Sequence, residues 1–218
     1  MNRKSLLLFF LTLVLILIFI LAQDESDADV QIYKSNIMGT SYSVTIHSKV
    51  DNQNTFFQVS NILNEINQDM STYIDNSLIS RVNQSEIGQW TKVSKDFIEV
   101  LNYAIEICNQ SKGIYDVSIG KLVNLWGFGP DKVNSKPSKD NINYLTSQVG
   151  CDSVQTNINS QSVKKVRDVE LDFSSIAKGF AIDKVYEFLV NKEEVGSFFI
   201  ELGGEVRSTS RKSNSQPW

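Results

Sequence analysis

From Val30 onward, strand-like and helix-like patterns follow one another, and this mixture limits the fold more than any other feature of the chain. In "QIYKSNIMGTSYSVTIHS", apolar residues alternate with polar ones on both sides of Met38-Gly39-Thr40, which predicts two short strands joined by a tight turn. In "TFFQVSNILNEINQDM" and "KDFIEVLNYAIEICNQSKG", apolar residues recur at helical spacing. Because the strand pairs resemble antiparallel hairpins, we predict an α+β fold and not a doubly wound parallel sheet.

Capping and turn residues predict where the remaining elements lie. Ser77 is placed to cap a short turn, Ser94 to cap the second of these helices, and Gly113 to end it. The segment "LWGFGPDK" is predicted to be an irregular loop. The other predicted helices are "SKDNINYLTSQVG" and Ser174–Asn191, and the other predicted strands are "IYDVSIG", Asp152–Asn157, Ser162–Val166, Val169–Phe173 and Ser197–Leu202.

The first 22 residues are expected to form a separate unit. Arg3 and Lys4 precede an apolar run from Leu6 to Ala22 that only Thr12 interrupts. The run is long for the core of a signal peptide and slightly short for a membrane span, so both interpretations stay open. Because basic residues before such a run stay in the cytoplasm, we expect the rest of the chain to be exported, either tethered by this segment or cleaved after Ala22.

The remainder of the chain divides into a linker and one folded domain. Residues 23–30 are expected to form a solvated acidic linker, and residues 31–218 the domain. Near its end, "FFIELGGEVRS" predicts a strand that runs into a Gly-Gly turn, and "TSRKSNSQPW" follows with an exposed tryptophan. A chain rarely stops just after its sheet turns, so we expect a fragment of a longer domain in preference to a disordered tail.

Composition excludes several classes of function. The 218 residues carry a net charge of −4 and no basic stripe, which argues against nucleic-acid binding. His47 is the only histidine, so a histidine-rich metal site is impossible, and any metal is expected to be a hard cation bound by oxygens. Cys108 lies in an apolar pattern that favours a small buried side chain, but its spacing from Cys151 does not decide whether the two form a disulfide outside the cytoplasm.

The stretch "LDFSSIAKGFAID" contains two residues that helix propensity does not explain. Ser174 or Ser175 is expected to be the N-cap, which places Lys178 near the positive end of the helix dipole and Gly179 inside the helix. A glycine there costs about 1 kcal/mol relative to alanine. An anion at the helix start and a closely approaching ligand or backbone would explain both residues. A lysine that extends along the surface and a glycine that eases helix packing are the alternative, which this stretch alone leaves open.

Five ordered motifs span nearly all of residues 31–207: "IMGTSYSV", "MSTYIDNSLISRVN", "YDVSIGKLVNLWGFGP", "LDFSSIAKGFAIDKV" and "FFIELGGEV". Together and in this order they resemble the motifs of the FAD:protein FMN transferases, the ApbE family of exported flavin-handling enzymes. The most specific parts are "LWGFGP" and the pair Lys178-Gly179 that follows Asp172 after five residues, whereas the usual glycine-rich nucleotide loops are absent. The resemblance implies a single ApbE-like (T-fold-like) α+β domain of mixed antiparallel strands and helices, located in the periplasm.

The resemblance also implies a reaction. FAD would bind in a groove with magnesium at its pyrophosphate, and FMN would be transferred to a threonine or serine hydroxyl of a partner flavoprotein, such as a subunit of a respiratory redox complex, with release of AMP. Phosphoryl transfer needs positioning and charge neutralisation more than a protein nucleophile, so one histidine suffices, and no catalytic base is assigned. The residues carried over as FAD contacts are Met38, Tyr73, Ile114, Tyr115, Asp116, Asp172 and Lys178, and Ser175 would offer its backbone carbonyl to the magnesium.

The chain also departs from the family pattern. Ser174-Ser175 stand where many relatives have glycines, Lys121 where a proline is common, and Glu201 where an asparagine often precedes Gly203-Gly204. Relatives continue beyond this point with an aspartate and a threonine or serine that complete the magnesium site, so we expect a C-terminally truncated domain that holds half of that site. Two other functions stay open on the same residues: hydrolysis of FAD to FMN and AMP, and flavin binding without turnover.

Overall fold

A computed structural model describes residues 29–130, 136–212 and 216–218. The predicted apolar segment 1–22 and most of the predicted linker lie outside the described residues. Within the described ranges, no helix is long and apolar enough to cross a membrane.

Strands and helices are interspersed among the described elements, as the sequence predicts. They are β1 (Asp29–Ile37), β2 (Thr40–Ser48), α1 (Gln53–Met70), α2 (Leu78–Gln84), β3 (Trp90–Lys92), α3 (Lys95–Gln110), α4 (Gly120–Leu125), α5 (Lys139–Gln148), β4 (Val154–Asn157), β5 (Ser162–Lys165), α6 (Ala177–Val190), β6 (Ser197–Leu202) and β7 (Glu205–Ser208). Ser77 caps α2 and Ser94 caps α3 through their side-chain oxygens, as predicted. β1 begins at Asp29, inside the predicted linker.

The larger sheet has the strand order β1-β2-β6-β7, and all three strand pairs are antiparallel, which confirms the α+β prediction. Val44 and Ile46 of β2 are fully buried on one face of this sheet, where they pair with Ile200 and Phe198 of β6. α1 packs against α6, and α6 packs against β6 and β7. The helix α6 therefore packs on the two strands that the β6–β7 turn joins, and β6 in turn pairs with β2, which follows the β1–β2 turn.

The smaller sheet has the order β3-β5-β4, and the structure corrects two strand predictions beside it. Neither "IYDVSIG" nor Val169–Phe173 forms a strand; a single parallel bridge joins Ile119 to Glu170. The pairing stops there because α4 begins at Gly120, inside the stretch that was predicted to be extended, and continues into the predicted loop "LWGFGPDK". The Gly120 N–H donates to the Glu170 carbonyl at 2.8 Å, and a Cβ at Gly120 would lie 2.8 Å from that same oxygen.

A disulfide joins Cys108, near the end of α3, to Cys151, just after α5. Their Cα atoms are 5.6 Å apart, and the bond closes a loop with a sequence separation of 43 residues. The sequence left this pairing open, and the expectation that Cys108 is buried is confirmed at the same time. The closed loop contains α4 and the segment that leads into it.

Trp218 packs on the face of the larger sheet that α1 and α6 leave uncovered. Its ring lies edge-on to His47 at 5.2 Å between centroids and tilted against Phe199 at 5.6 Å, and its indole N–H donates to Thr209 Oγ1 at 3.3 Å. The prediction of an exposed tryptophan is therefore wrong, because these three contacts hold the side chain half-buried against the sheet.

We predict a pH dependence of stability from the contact between α1 and α3. Burial raises the pKa of the Asp69 carboxyl, even though it accepts a hydrogen bond from the Ser94 hydroxyl. Because the folded state then holds a proton that the unfolded chain loses near pH 4, the free energy of unfolding should fall as pH rises from about 4 through the raised pKa. Asp69→Asn keeps an acceptor for Ser94 and should abolish this fall. Urea unfolding of both proteins between pH 4 and 7 tests it, and parallel profiles would contradict it.

Candidate functional site

The turn before α6 is stabilised by the side chain of an aspartate, and neither serine caps the helix. Residues 174–176 form a turn, and the N–H groups of Ile176 and Ala177 donate to the Phe173 carbonyl at 3.0 and 2.8 Å. No side chain caps α6, so the expectation that Ser174 or Ser175 is the N-cap is wrong. The buried Asp172 takes over part of that role, because its Oδ1 accepts the Ser174 N–H at 2.7 Å.

Met38 occupies an unfavourable backbone conformation in the β1–β2 turn. Its φ is 52° and that of Gly39 is 72°, so both central residues of this two-residue turn have positive φ. Turns of this kind favour Asn-Gly, and a methionine in the left-handed region costs roughly 1–2 kcal/mol. The side chain of Met38 is half-buried against the core and lines a cavity. The conformation therefore does not explain the methionine, whereas a role for its side chain would.

The cavity beside Met38, which we call the Lys178 cavity, has a volume of about 530 Å³. Residues from the β1–β2 turn, the end of α1 and the start of α6 line it, among them Met38, Tyr73, Ser174 and Lys178. In the described part of the chain, the Lys178 ammonium has no carboxylate or hydrogen-bond partner, whereas Lys184 on the same helix contacts Asp96 and Glu99 at 3.4 and 3.2 Å. The cavity is thus lined by a lysine whose charge no described carboxylate neutralises and that lies close to a helix start.

A second cavity, the Asp172 cavity, adjoins the first because Thr72 lines both. It has a volume of about 370 Å³ and a polar lining that includes Asp75, Asn124, Glu170 and Asp172. Asn124 Nδ2 donates to Glu170 Oε2 at 3.1 Å. The lining of one cavity contributes a lysine and that of the other carboxylates and amides, a combination that suits a long ligand with anionic and hydroxyl groups.

The Ser175 groove lies on another side of α6. It has a volume of about 830 Å³, and its lining includes Ser175, Gly179, Tyr103, Phe180 and Glu205. A Cβ at Gly179 would meet only Glu205 Oε2 at 3.5 Å, an ordinary contact, so packing within the described residues does not require a glycine. The helix-packing explanation of Gly179 is therefore wrong. Gly179 also does not line the Lys178 cavity, so the two residues of the pair face different spaces.

The predicted contacts at 114–116 lie close to the start of α6 but differ in exposure. The Ser175 hydroxyl donates to the Tyr115 phenol oxygen at 3.1 Å, which joins this segment to the turn before α6. Asp116 Oδ1 accepts the N–H of Ser118 at 2.8 Å and so shapes its own loop. Ile114 is 92% exposed. Met38, Tyr73 and Lys178 thus share one cavity, Asp172 lines the adjoining one, and Ser175 contacts Tyr115.

The described residues do not by themselves provide a magnesium site. No N–H among them donates to the Ser175 carbonyl, so that oxygen is available as a ligand. However, the described ranges contain no cluster of three or more acidic, histidine or cysteine side chains that could complete the coordination sphere. Magnesium prefers six oxygen ligands, and one carbonyl is not enough to fix its position.

Comparison with known proteins identifies the family. The ApbE family model matches residues 38–218, which is most of the chain. The chain belongs to the ApbE family. Among curated relatives, the FAD:protein FMN transferase of Haemophilus influenzae is 33% identical over 207 residues, which cover 91% of this chain and 60% of the relative. The FAD:protein FMN transferase of Vibrio cholerae is 30% identical over 205 residues, which cover 92% of this chain and 61% of the relative.

Solved ApbE structures share the fold. The flavin transferase ApbE from Vibrio cholerae superposes with a TM-score of 0.81 at 28% identity, over 88% of this chain and 62% of that chain. The apo form of the Pseudomonas stutzeri flavinyl transferase ApbE gives a TM-score of 0.82 at 27% identity, over 89% and 66%. The chain therefore spans about 60% of the length of the curated ApbE relatives that it matches first.

Several lining residues were not singled out from the sequence. Thr72 and Asp75 lie in the quoted motif "MSTYIDNS", where only Tyr73 was selected, and Thr72 proves to be the residue that joins the two cavities. Glu170 was assigned to a strand, although a carboxylate two positions before Asp172 in an apolar run could have indicated a polar lining. Asn124 lies in the quoted motif "YDVSIGKLVNLWGFGP" and was not selected as a contact.

Proposed function

We propose that this chain is the FAD-binding part of an FAD:protein FMN transferase. The match to the ApbE family over residues 38–218 carries the proposal, and four of the five quoted motifs contribute residues to the linings of the two cavities. FAD is long, dianionic at its pyrophosphate and rich in hydroxyl groups, which corresponds to the charge and polarity of the linings of the two cavities. In this proposal the flavin end lies near Met38 and Tyr73, and Asp172 and its neighbours contact the polar part of the nucleotide.

Lys178 has the central role in binding. Its ammonium lacks an internal partner in the described part of the chain, and the residue belongs to the first turn of α6, where the helix dipole adds positive potential. A pyrophosphate at this point would be attracted by both, and the unfavourable placement of a lysine near a helix start would be offset. The proposal thus explains the lysine of the "LDFSSIAKG" stretch by an anion at the helix start.

The reaction follows from this placement of the pyrophosphate. The acceptor's threonine or serine oxygen attacks the phosphorus on the FMN side, a new P–O bond forms, and the P–O bond to the bridging oxygen breaks. AMP leaves with that oxygen, and the hydroxyl proton is released to a base or to water. Lys178 would bind the charge that develops on the phosphoryl and leaving-group oxygens, as phosphoryl transfer requires. Magnesium at the Ser175 carbonyl belongs to the proposal as an expectation from the family, and no step is derived through it.

An assay with and without an acceptor tests the proposal. The protein is incubated with FAD and MgCl₂, alone or with the flavin-acceptor domain of a respiratory redox complex, and an acceptor whose target hydroxyl residue is replaced by alanine serves as control. We expect covalent flavin fluorescence on the unmodified acceptor after denaturing electrophoresis, together with stoichiometric AMP. Free FMN and AMP without covalent flavin would indicate a hydrolase instead, and bound but unchanged FAD would indicate a binding module.

Replacing Met38 should separate binding from stability. Met38→Asn supplies the residue that the turn favours and removes the thioether from the Lys178 cavity. We expect the free energy of unfolding to rise by roughly 1 kcal/mol and FAD affinity to fall about tenfold. Lys112→Asn is the matched control, since Lys112 also has a positive φ, of 58°, but does not line the cavity. Urea unfolding and FAD titration measure both effects, and unchanged FAD affinity in Met38→Asn would contradict the assignment.

An exported location is also proposed. Two features support it: the apolar run that ends at Ala22 after basic residues, and the disulfide between Cys108 and Cys151. Disulfides persist in oxidising compartments such as the periplasm and are rare in the cytoplasm. Fractionation of cells that produce the full chain, with and without residues 1–22, tests this location.

A further inference from the structure

We propose that Gly203, in the β6–β7 turn, is a positioning residue for Lys178. The inference rests on the proposed function, because it assigns Gly203 the task of directing the lysine toward the FAD pyrophosphate. Gly203 lies far along the chain from the other site residues and was treated in the sequence only as part of a turn. The geometry around Gly203 assigns it a second role, which is to position the Lys178 side chain.

The β6–β7 turn is anchored on two sides. The Gly203 N–H donates to the Ser41 carbonyl at 3.1 Å, which ties the turn to β2 beside the β1–β2 turn. The Gly204 N–H donates to Glu201 Oε1 at 2.6 Å, so the glutamate that replaces the family's frequent asparagine closes the turn. The backbone of the turn therefore has a fixed position relative to β2 and the residues at its start.

The space that a side chain of residue 203 would need is already occupied. A Cβ at Gly203 would lie 2.9 Å from Thr40 Cγ2 and 3.3 Å from both Thr40 Oγ1 and Lys178 Cδ. The distance of 2.9 Å is shorter than real contacts of this kind, and 3.3 Å is close to the lower limit. The Lys178 stem and the Thr40 side chain thus converge on the spot that the glycine leaves free.

The close contact with the Gly203 turn restricts the conformations that the Lys178 side chain can adopt. A lysine side chain loses up to about 2 kcal/mol of rotamer entropy when it is fixed, so a stem that is already confined binds an anion at a smaller entropic cost. The half-buried stem of Lys178 passes the Gly203 turn, and the residue lines the cavity that it shares with Met38 and Tyr73. A methyl group at residue 203 would displace the stem, Thr40 or both.

Gly204 provides a matched control in the same turn. Both glycines have positive φ, 58° for Gly203 and 91° for Gly204, so alanine introduces backbone strain at either position. A Cβ at Gly204, however, would have no heavy atom within 4 Å. The two alanine variants therefore share the backbone penalty and differ in the contact with Thr40 and Lys178.

The test measures the dissociation constants of FAD and riboflavin by fluorescence titration for the full chain and its variants. Riboflavin lacks phosphate, so its binding should not depend on the position of an ammonium group. We expect Gly203→Ala to weaken FAD binding about tenfold while riboflavin binding changes little, and Gly204→Ala to leave both unchanged. In a Lys178→Ala background, Gly203→Ala should have no further effect on FAD.

Each outcome decides between the inference and the proposed function. Equal FAD affinities of Gly203→Ala and Gly204→Ala, or an equal loss of FAD and riboflavin binding in Gly203→Ala, would overturn the positioning role. Unchanged FAD affinity in Lys178→Ala alone would overturn the proposed phosphate contact instead. If Gly203→Ala does not fold, Thr40→Ser is measured instead, because it removes the Cγ2 atom that lies closest to the Gly203 position. It should weaken FAD selectively, while Thr45→Ser on the same strand should not, and equal behaviour of these two variants would overturn the inference.

Discussion

Lys178→Gln is expected to weaken FAD binding by about 10- to 100-fold, which corresponds to the loss of a charge-assisted hydrogen bond worth about 1.5–3 kcal/mol. The expectation follows because Lys178 lines the Lys178 cavity and its ammonium has no ion-pair partner in the described part of the chain. For the same reason the free energy of unfolding should hardly change, because no internal contact of the charge is lost. Titration with FAD and urea unfolding of the same preparation measure the two quantities.

Lys184→Gln is the control for this experiment. Lys184 lies on the same helix, but its ammonium contacts Asp96 and Glu99, and these carboxylates raise its pKa against the effect of burial. We therefore expect Lys184→Gln to reduce stability slightly and to leave FAD binding unchanged. A similar loss of FAD affinity in both variants, or a loss of riboflavin affinity as large as that of FAD in Lys178→Gln, would contradict the phosphate contact.

Loss of the Cys108–Cys151 disulfide is expected to reduce the free energy of unfolding by about 4 kcal/mol, since the bond closes a loop with a sequence separation of 43 residues. The double variant Cys108→Ala/Cys151→Ala and the reduced native protein should agree. FAD binding should weaken as well, because the closed loop contains Gly120 and Asn124, which line the Asp172 cavity. Urea unfolding and FAD titration are the measurements.

Treatment of the double variant with reductant provides the control for this prediction, since it should change neither quantity. After reductant is added to the native protein, alkylation and mass spectrometry must show that both cysteines are free thiols before its stability is compared. An unchanged unfolding midpoint in a protein with two demonstrated free thiols would contradict the structural role of the bond.

Sequence reasoning predicted the elements with a clear local pattern correctly. The long elements β2, α1 and α3 each carry one apolar spacing, and the short strands β4, β5 and β6 were also predicted. α4 was missed because its six residues begin with a glycine and lead into Gly127 and Gly129, which suggest a loop. Its helical form depends on the contact between Gly120 and the distant Glu170 carbonyl, which no local pattern contains.

The start of α6 shows a similar limit. Two serines before a helix favour a serine cap. No local pattern favours Asp172, whose side chain accepts the Ser174 N–H only because the chain turns before α6. In the same way, the family motif treats Lys178 and Gly179 as one feature, although the two residues face different spaces. Adjacent residues on a helix point about 100° apart, so one lines the Lys178 cavity and the other the Ser175 groove.

The position of FAD relative to the start of α6 tests the central claim most directly. A crystal structure of the full-length protein with FAD should show a pyrophosphate oxygen within hydrogen-bond distance of Lys178 Nζ, with the flavin ring beside Met38 and Tyr73. FAD bound elsewhere, or bound with its pyrophosphate directed away from Lys178, would contradict the account.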